Sequence, residues 1–443
     1  MFDVLRNRTY RHLFLAQVVA LVGTGLATVA LGLLAFRLAG KDAGAVLGTA
    51  LAIKMVAYVL IAPIAGAYAG HFPRRALLVS LDIVRLLVVL VLPWVDQIWQ
   101  IYLLIFLLQS ASAAFTPTFQ ATIPEVLPKE EEYTKALSLA RLAYDLETLL
   151  SPALAAVLLT MTTDQGLFVG TAVGFLGSAL LVVSVALPRP PPQAARTTIT
   201  RKLTHGLRIY LATPRLRGLL ALNLAAAAGG AMVIVNTVVI VRGELQKSEH
   251  AVALALAAFG AGSMAMAFAL PRLLERYRDR SVMLAAGGAV AVMLAGLALA
   301  WSLAQGAHWT VLLLGWVLLG GSYAALVTPS GRLLKRSSRD EDRPALFSAQ
   351  FSLSHACWLL TYPLVGWLGA HAGMEVALWV MAATAALAWI TALYFWPQAD
   401  GEVLPHRHDE LPHNHPHLAE GEHPDGGHRH TFVIDELHRR WPS

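Results

Sequence analysis

The chain has 443 residues, 56% hydrophobic and only 14% charged, with a mean hydropathy of +0.58 and a formal net charge of +6. A water-soluble domain of this size would need more charge to cover its surface, so the composition excludes one. The single cysteine, Cys357, excludes an internal disulfide, a zinc finger and an iron–sulfur centre.

A helix needs roughly 20 apolar residues to cross the ~30 Å hydrocarbon core of a bilayer. Segments of that kind are expected at 13–37, 45–69, 76–94, 98–118, 136–161 and 165–187, then at 216–241, 251–271, 281–302, 309–330, 345–369 and 374–396. Met1 to His12 is basic and leads into the first span without a small-residue cleavage site, which reads as an uncleaved first helix rather than a signal peptide. The expected organisation is a six-helix half over 1–187, a linker over 188–214, a second six-helix half over 215–396 and a tail over 397–443. The linker opens with Pro188-Arg-Pro-Pro-Pro192 and carries Arg196, Arg201, Lys202 and Arg208, so it cannot be a span and should end in a short basic amphipathic helix.

Lys and Arg concentrate on one side, among them Arg6, Arg8, Arg11, Arg74, Arg75, Lys129, Arg278, Arg280, Arg332 and Arg343, and the other side keeps Arg37, Lys41, Arg242 and Lys247. The positive-inside rule then places both termini in the cytoplasm of a multi-pass protein of the cell membrane. Because the basic residues sit in membrane-flanking loops, they indicate lipid and no nucleic acid. The two halves also echo each other. Thr116-Pro117-Thr118 ends span four and Thr328-Pro329-Ser330 ends span ten, an offset of 212, while Arg74-Arg75 and Arg278/Arg280 are offset by about 205.

On these residues the chain resembles the major facilitator superfamily. Gly66-Ala-Tyr-Ala-Gly70-His-Phe-Pro-Arg74-Arg75 stands where that family has a Gly-x-x-x-Asp-Arg-x-Gly-Arg-Arg gating loop, with Gly70, His71 and Pro73 replacing its Asp, Arg and Gly. Asp82 and Arg85, together with Phe115-Thr-Pro-Thr-Phe-Gln-Ala-Thr-Ile-Pro124-Glu125, resemble the drug-exporter branch. The segment from Arg343 to Pro363, containing Ser354-His355-Ala-Cys357-Trp358, is similar to the nickel-resistance exporters, which also end in a histidine-rich tail. The resemblance implies an all-α membrane protein with two parallel six-helix halves, acting as a monomer and exporting cargo.

Nine of the sixteen histidines lie in the tail: His406, His408, His413, His415, His417, His423, His428, His430 and His438. They alternate with acidic residues, Pro and Gly, so the tail is expected to be disordered, except that its end, Thr431 to Trp441, with Phe432, Val433, Ile434 and Leu437, can dock back on the protein as a short element. Imidazole suits Ni²⁺, Cu²⁺, Zn²⁺ and Co²⁺, and histidine-rich tracts read as metal-binding on composition. No two of these histidines are adjacent, which argues against a purification tag.

Ionisable residues inside spans are costly and mark a pathway or a pair. Asp82 lies three residues before Arg85, and Asp145 four after Arg141, so both have a structural reading as intrahelical pairs. Glu147 points to a different helix face from Asp145 and suits proton carriage or metal ligation. The repeat offset sets His355 at a depth close to Glu147, and the resemblance puts the two in opposite halves beside a central cavity. A histidine satisfied by a backbone carbonyl is the other reading. Lys54, mid-span, either repels a cation there, pairs with Glu147 or Asp82, or snorkels outward. Gln17, Gln109, Asn223, Asn236 and Gln350 are neutral candidates for lining the path.

The expected function is secondary-active export of a divalent transition metal, Ni²⁺ first and Co²⁺ next, with protons as the coupling ion and no permanently bound cofactor. Export of organic cations, with an incidental metal-binding tail, is the alternative. No Gly-x-x-x-x-Gly-Lys loop is present to bind nucleotide, and no nucleophile–base constellation suggests an enzyme.

Overall fold

The computed structural model describes residues 1–39, 43–69, 71–188, 199–304, 308–398, 403–406, 428–435, 437–438 and 441. A 3₁₀ turn, Phe2–Arg6, precedes the first six long helices: α1 (Arg8–Ala39), α2 (Ala43–Ala69), α3 (Arg74–Val91), α4 (Ile98–Val126), α5 (Glu130–Leu159) and α6 (Asp164–Val183). An amphipathic helix, α7 (Ile199–Ala212), follows. The second set is α8 (Pro214–Val238), α9 (Glu249–Arg276), α10 (Asp279–Ala304), α11 (Trp309–Val327), the short α12 (Ser330–Arg336), α13 (Arg343–His371) and α14 (Met374–Phe395).

Among the described residues ten of these helices are long and apolar enough to cross a membrane. The other two long ones, α5 and α13, have 30 and 29 residues but carry the polar side chains described below. The chain is thus an all-α membrane protein with twelve membrane-length helices in two six-helix halves. Large apolar side chains such as Leu180, Val292, Leu387 and Tyr394 stand exposed on the outside of the bundle, where lipid would cover them. In the first half α1 packs on α6, and α2 and α3 on α4; in the second α8 packs on α14 and α9 on α11. The halves meet along α2–α13 and α5–α9.

Span four does not stop at Pro117. The helix α4 continues through Pro117 and Pro124 to Val126. Proline disfavours a helix interior because it lacks an N–H and its ring clashes with the carbonyl four residues back, but it is tolerated in membrane helices. The nearby Thr118 and Thr122 hydroxyls donate to the carbonyls of Ala114 and Thr118 of the same helix, both at 2.8 Å. The matching Thr328-Pro329 does interrupt its helix, separating α11 from α12, so the repeat is imperfect at this point.

Gly66 is not in a loop. It lies inside α2, where that helix crosses α13 so closely that a Cβ would sit 2.4 Å from Ser348 Oγ. Nearby, Ser352 Oγ donates to the Val59 carbonyl at 2.6 Å, a second bond between the halves. Arg75 is exposed, whereas Arg74 is buried and ion-paired to Glu125 at 2.6 Å. Glu125, from the first half, also faces Arg343 of the second at 3.7 Å, and Arg343 pairs with Asp340. Arg332 joins Glu130 across the halves at 2.5 Å and Asp279 within its own half at 2.9 Å. This basic face of the bundle is therefore held together by an ionic network between the halves.

The tail is not wholly without structure. β1 (Val403–His406) pairs antiparallel with β2 (His428–Thr431), in the register His406↔His428 and Leu404↔His430. His408, His413, His415, His417 and His423 lie outside the described residues. Beyond β2, Phe432 and Ile434 are buried in the core of the second half. Asp435 lies 2.6 Å from Arg339, in the loop between α12 and α13, and the Arg215 guanidinium sits over the Trp441 ring at 5.1 Å. The apolar run Phe432–Ile434 explains this docking, as expected for the end of the tail.

Burial works to raise the Asp435 carboxyl, but hydrogen bonds from the His438 side chain and backbone, with Arg339 alongside, hold it at about 2, below its ordinary 3.8. Its contribution to docking is therefore complete above 3.8 and lost as pH falls through about 2. Arg339→Asp should release the segment, seen as faster hydrogen exchange at Phe432–Ile434, and Arg339→Asp/Asp435→Arg should restore protection. In the wild type, protection should be flat between about pH 5 and 8. Unchanged exchange in Arg339→Asp would show that the ion pair does not hold the segment.

Candidate functional site

Between the halves lies a cavity of about 620 Å³. Its polar wall is set by helical spacing. On α2, Lys54 and Tyr58 are one turn apart. On α5, Arg141, Tyr144 and Glu147 fall on one face. On α13, Phe351, His355 and Trp358 do the same, with Gln350 beside them. Gln17, Gln109, Asn223 and Tyr323 complete it, and Phe14, Phe115, Phe119 and Phe175 supply apolar surface.

Of the residues expected in the transport path, Lys54, Gln109, Glu147, Asn223, Gln350 and His355 line this one cavity. Asp82 and Asp145 do not line it. Each sits behind the wall, paired with an arginine that does: Asp82 with Arg85, and Asp145 with Arg141. Asp82 is fully buried, and its second oxygen accepts from Ser178 at 2.8 Å. Arg141 also reaches across the halves, with Nε donating to Ser263 Oγ of α9 at 2.9 Å and its guanidinium 4.9 Å from the Tyr323 ring. The structural reading of both pairs fits, with the addition that Arg141 ties the two halves. Asn236 is buried, and its amide donates to the Val365 carbonyl at 3.4 Å, so it packs α8 to α13 rather than lining the path.

Around His355 the wall is aromatic. Its Nδ1 lies 2.7 Å from the Phe351 carbonyl, and its ring packs on Phe351 at 4.2 Å and edge-on to Tyr58 at 4.8 Å. With Nδ1–H donated to that carbonyl, Nε2 keeps its lone pair, so backbone satisfaction and ligand capacity coexist on one ring. Tyr58 donates to Gln109 Oε1 at 2.8 Å, and the Lys54 ammonium lies 5.6 Å from the Tyr58 ring centre. Lys54 and Glu147 attract each other electrostatically. Of the readings open for Lys54, outward snorkelling is set aside, because its side chain lines the cavity beside Tyr58.

Sequence reasoning missed Tyr58, Tyr144 and Tyr210. The first two sit one helical turn from Lys54 and Glu147, so extending those stripes would have found them. Tyr210, on the amphipathic α7, is fully buried, and its hydroxyl donates to Gln350 Oε1 at 2.5 Å. Burial pushes its phenol well above the ordinary 10, keeping it a hydrogen-bond donor. The linker helix thereby positions one amide of the cavity wall, a tertiary contact with no sequence signal.

The family model of the Major Facilitator Superfamily matches residues 13–241 and 219–429. The chain belongs to that superfamily. Membership points to membrane transport rather than catalysis. Among curated relatives, macrolide efflux protein A of Streptococcus pyogenes is 22% identical over 204 residues, 44% of this chain and 49% of that protein. The transporter YfiS of Bacillus subtilis is 27% identical over 131 residues, 30% of this chain and 31% of its own length. The matched segments thus span half or less of these relatives. A bacterial homologue of the iron transporter ferroportin, in an outward-facing state, superposes with TM-score 0.75 at 15% identity over 87% of this chain and 99% of that one. The human organic anion transporter MFSD10 gives 0.73 at 13% identity, with the same coverage. At such identities the likeness establishes the fold alone.

Among the described residues no three His, Cys, Asp or Glu side chains gather as a metal-ligating set. His406, His428 and His430 fall in β1 and β2, and the remaining proposed tail ligands lie outside the described residues.

Glu147 owes its place to a close crossing of α1 and α5. A Cβ on Gly25 would lie 1.9 Å from Ser151 Oγ and 2.8 Å from Glu147 Oε1, whereas one on Gly32, two turns along, would meet nothing. Gly25→Ala should therefore displace the carboxylate and lower transport by about tenfold, an overpacking effect of 1–3 kcal/mol. Gly32→Ala should transport normally in the same vesicle assay. Equal activity of the two variants would mean that the crossing does not govern Glu147.

Proposed function

We propose that this superfamily member is a secondary-active exporter of a divalent transition metal, Ni²⁺ first, driven by inward proton flow across the cell membrane. One observation carries the reading: a carboxylate, Glu147, and an imidazole, His355, come from opposite halves onto one cavity. Ligands contributed by both halves let the bound cargo sense, and bias, the movement of one half against the other. The neutral oxygens of Gln109 and Gln350 are the natural supplementary donors.

In this mechanism the basic face looks into the cytoplasm. Cargo enters when the Glu125–Arg343 and Glu130–Arg332 pairs between the halves part, and the histidine-rich tail raises the local metal concentration there. Glu147 exchanges its partner: Lys54 at rest, cargo when loaded, a proton on return. Protons and metal compete for the same carboxylate and imidazole, which couples the two flows. Both transported species are substrates; no resident cofactor is part of the scheme.

A second reading, efflux of an organic amphiphile, rests on the cavity itself. Its volume of about 620 Å³ and its aromatic wall suit a small organic molecule, and the partial similarity to a macrolide efflux protein points the same way.

The test is proton-gradient-driven uptake into inside-out vesicles holding the purified protein, with Ni²⁺, Co²⁺, Zn²⁺ and an organic cation compared. Ni²⁺ should accumulate. Glu147→Gln and His355→Ala should each lower that uptake at least about tenfold, as loss of metal-site groups does. Replacing the histidines between 406 and 430 by glutamine should cost only a few-fold, visible at low metal, because capture and not translocation is weakened. Accumulation of the organic cation alone would transfer the assignment to the second reading.

A further inference from the structure

The cavity wall is unbalanced in charge. Lys54, Arg85 and Arg141 line it as cations, and Glu147 is the one carboxylate among the described lining residues. The acids that neutralise Arg85 and Arg141 are buried behind them, so the space between the halves sees cationic heads. Lys54 lies over the Tyr58 ring at 5.6 Å and feels the attraction of Glu147, and Arg141 is engaged with Asp145, Ser263 and Tyr323. Arg85 differs. Its guanidinium is held between the rings of Phe115 and Phe175, at 4.0 and 4.6 Å, and one terminal nitrogen bonds Asp82. Its Nε is buried without a hydrogen-bond partner.

A guanidinium clamped by two rings, with one terminal nitrogen on Asp82 and bordering a cavity, is built to receive a planar anion such as a carboxylate. A bare dication entering the same space meets three cationic heads against one carboxylate, and in a low-dielectric cavity that repulsion is poorly screened. We propose that Arg85 anchors a carboxylate group carried by the cargo, so that the metal crosses as a polycarboxylate complex and not as the bare ion. The inference rests on the metal-export reading and refines its cargo. The chelator would supply oxygen ligands that the wall lacks, leaving His355 and Glu147 to complete the coordination.

The experiment is calorimetric titration of the full chain in lipid nanodiscs with three probes: nickel chloride, nickel–citrate and citrate alone. Nickel–citrate should bind the wild type, and Arg85→Gln should weaken it by about tenfold or more, the cost of losing a charge-assisted hydrogen bond. Arg85→Lys, which keeps the charge but not the fork, should fall between the two. The response to nickel chloride should be the same in all three proteins. Because Arg85→Gln strands the buried Asp82, Asp82→Asn/Arg85→Gln serves as the neutral, fold-preserving counterpart and should show the same loss. Equal nickel–citrate affinity in wild type and both neutral variants, or no binding of it at all, would overturn the anchor. Citrate binding as tightly without metal, and still lost in Arg85→Gln, would uphold the anchor while removing the metal reading. Full-rate uptake of Ni²⁺ by Arg85→Gln vesicles in chelator-free buffer would do the reverse.

Discussion

Every charged side chain that this chain places within the bilayer must either be paired or face the space between the halves. Lipid offers no other partner, and an unpaired ion there costs several kcal/mol. That constraint explains why α5 and α13, which carry Arg141, Glu147 and His355, lie at the junction of the halves. It also explains the arrangement of Asp82–Arg85 and Asp145–Arg141: acid inward, base on the cavity wall, each pair one helical turn long. The cavity is what the bundle does with its polar residues.

The two long interfaces, α2–α13 and α5–α9, carry different chemistry. At α2–α13 the contact is close and small-residue based, with Gly66 against Ser348 and the Ser352 hydroxyl on the Val59 carbonyl. At α5–α9 a half-buried guanidinium, Arg141, joins Ser263 and the Tyr323 face. Close backbone packing of this kind favours a fixed crossing about which helices pivot, whereas a polar contact can be exchanged for another partner. The ionic network at the basic face has the second character, since Glu125 and Glu130 each face an arginine of the other half.

Much of this was legible in the sequence, and the reasons are physical. Length and apolarity specify a spanning helix almost by themselves, so ten of the expected spans meet helices of that kind among the described residues, and helical spacing of opposite charges was enough to pair Asp82 with Arg85 and Asp145 with Arg141. Depth in the membrane could be counted from span ends, which put Glu147 and His355 on a common level. What could not be read were contacts decided by tertiary geometry. Pro117 looked like the end of span four, yet α4 continues through it to Val126. Tyr210 gave no sign that a linker residue would hydrogen-bond an amide of the wall. The apolar residues Phe432, Val433 and Ile434 marked a segment able to dock, but not the loop and core it docks on.

The halves repeat in fold but not in charge, and the difference bears on how such a protein divides its work. All four charged residues of the cavity wall, Lys54, Arg85, Arg141 and Glu147, belong to the first half. The second half contributes Asn223, Tyr323, Gln350, His355 and Trp358, groups that are neutral or become so on deprotonation. In the cycle proposed above, ion pairs are rearranged when a proton or charged cargo arrives, which would make the first half the place where binding energy is converted into a change of partners. Neutral donors and aromatic faces keep their geometry through that exchange, which suits the second half to recognition. His355 stands at the boundary between these roles, packed on Tyr58 of the opposite half while its Nδ1 is fixed to its own helix. A ring held rigidly by one half and touching the charged cluster of the other is well placed to report occupancy across the junction that must move.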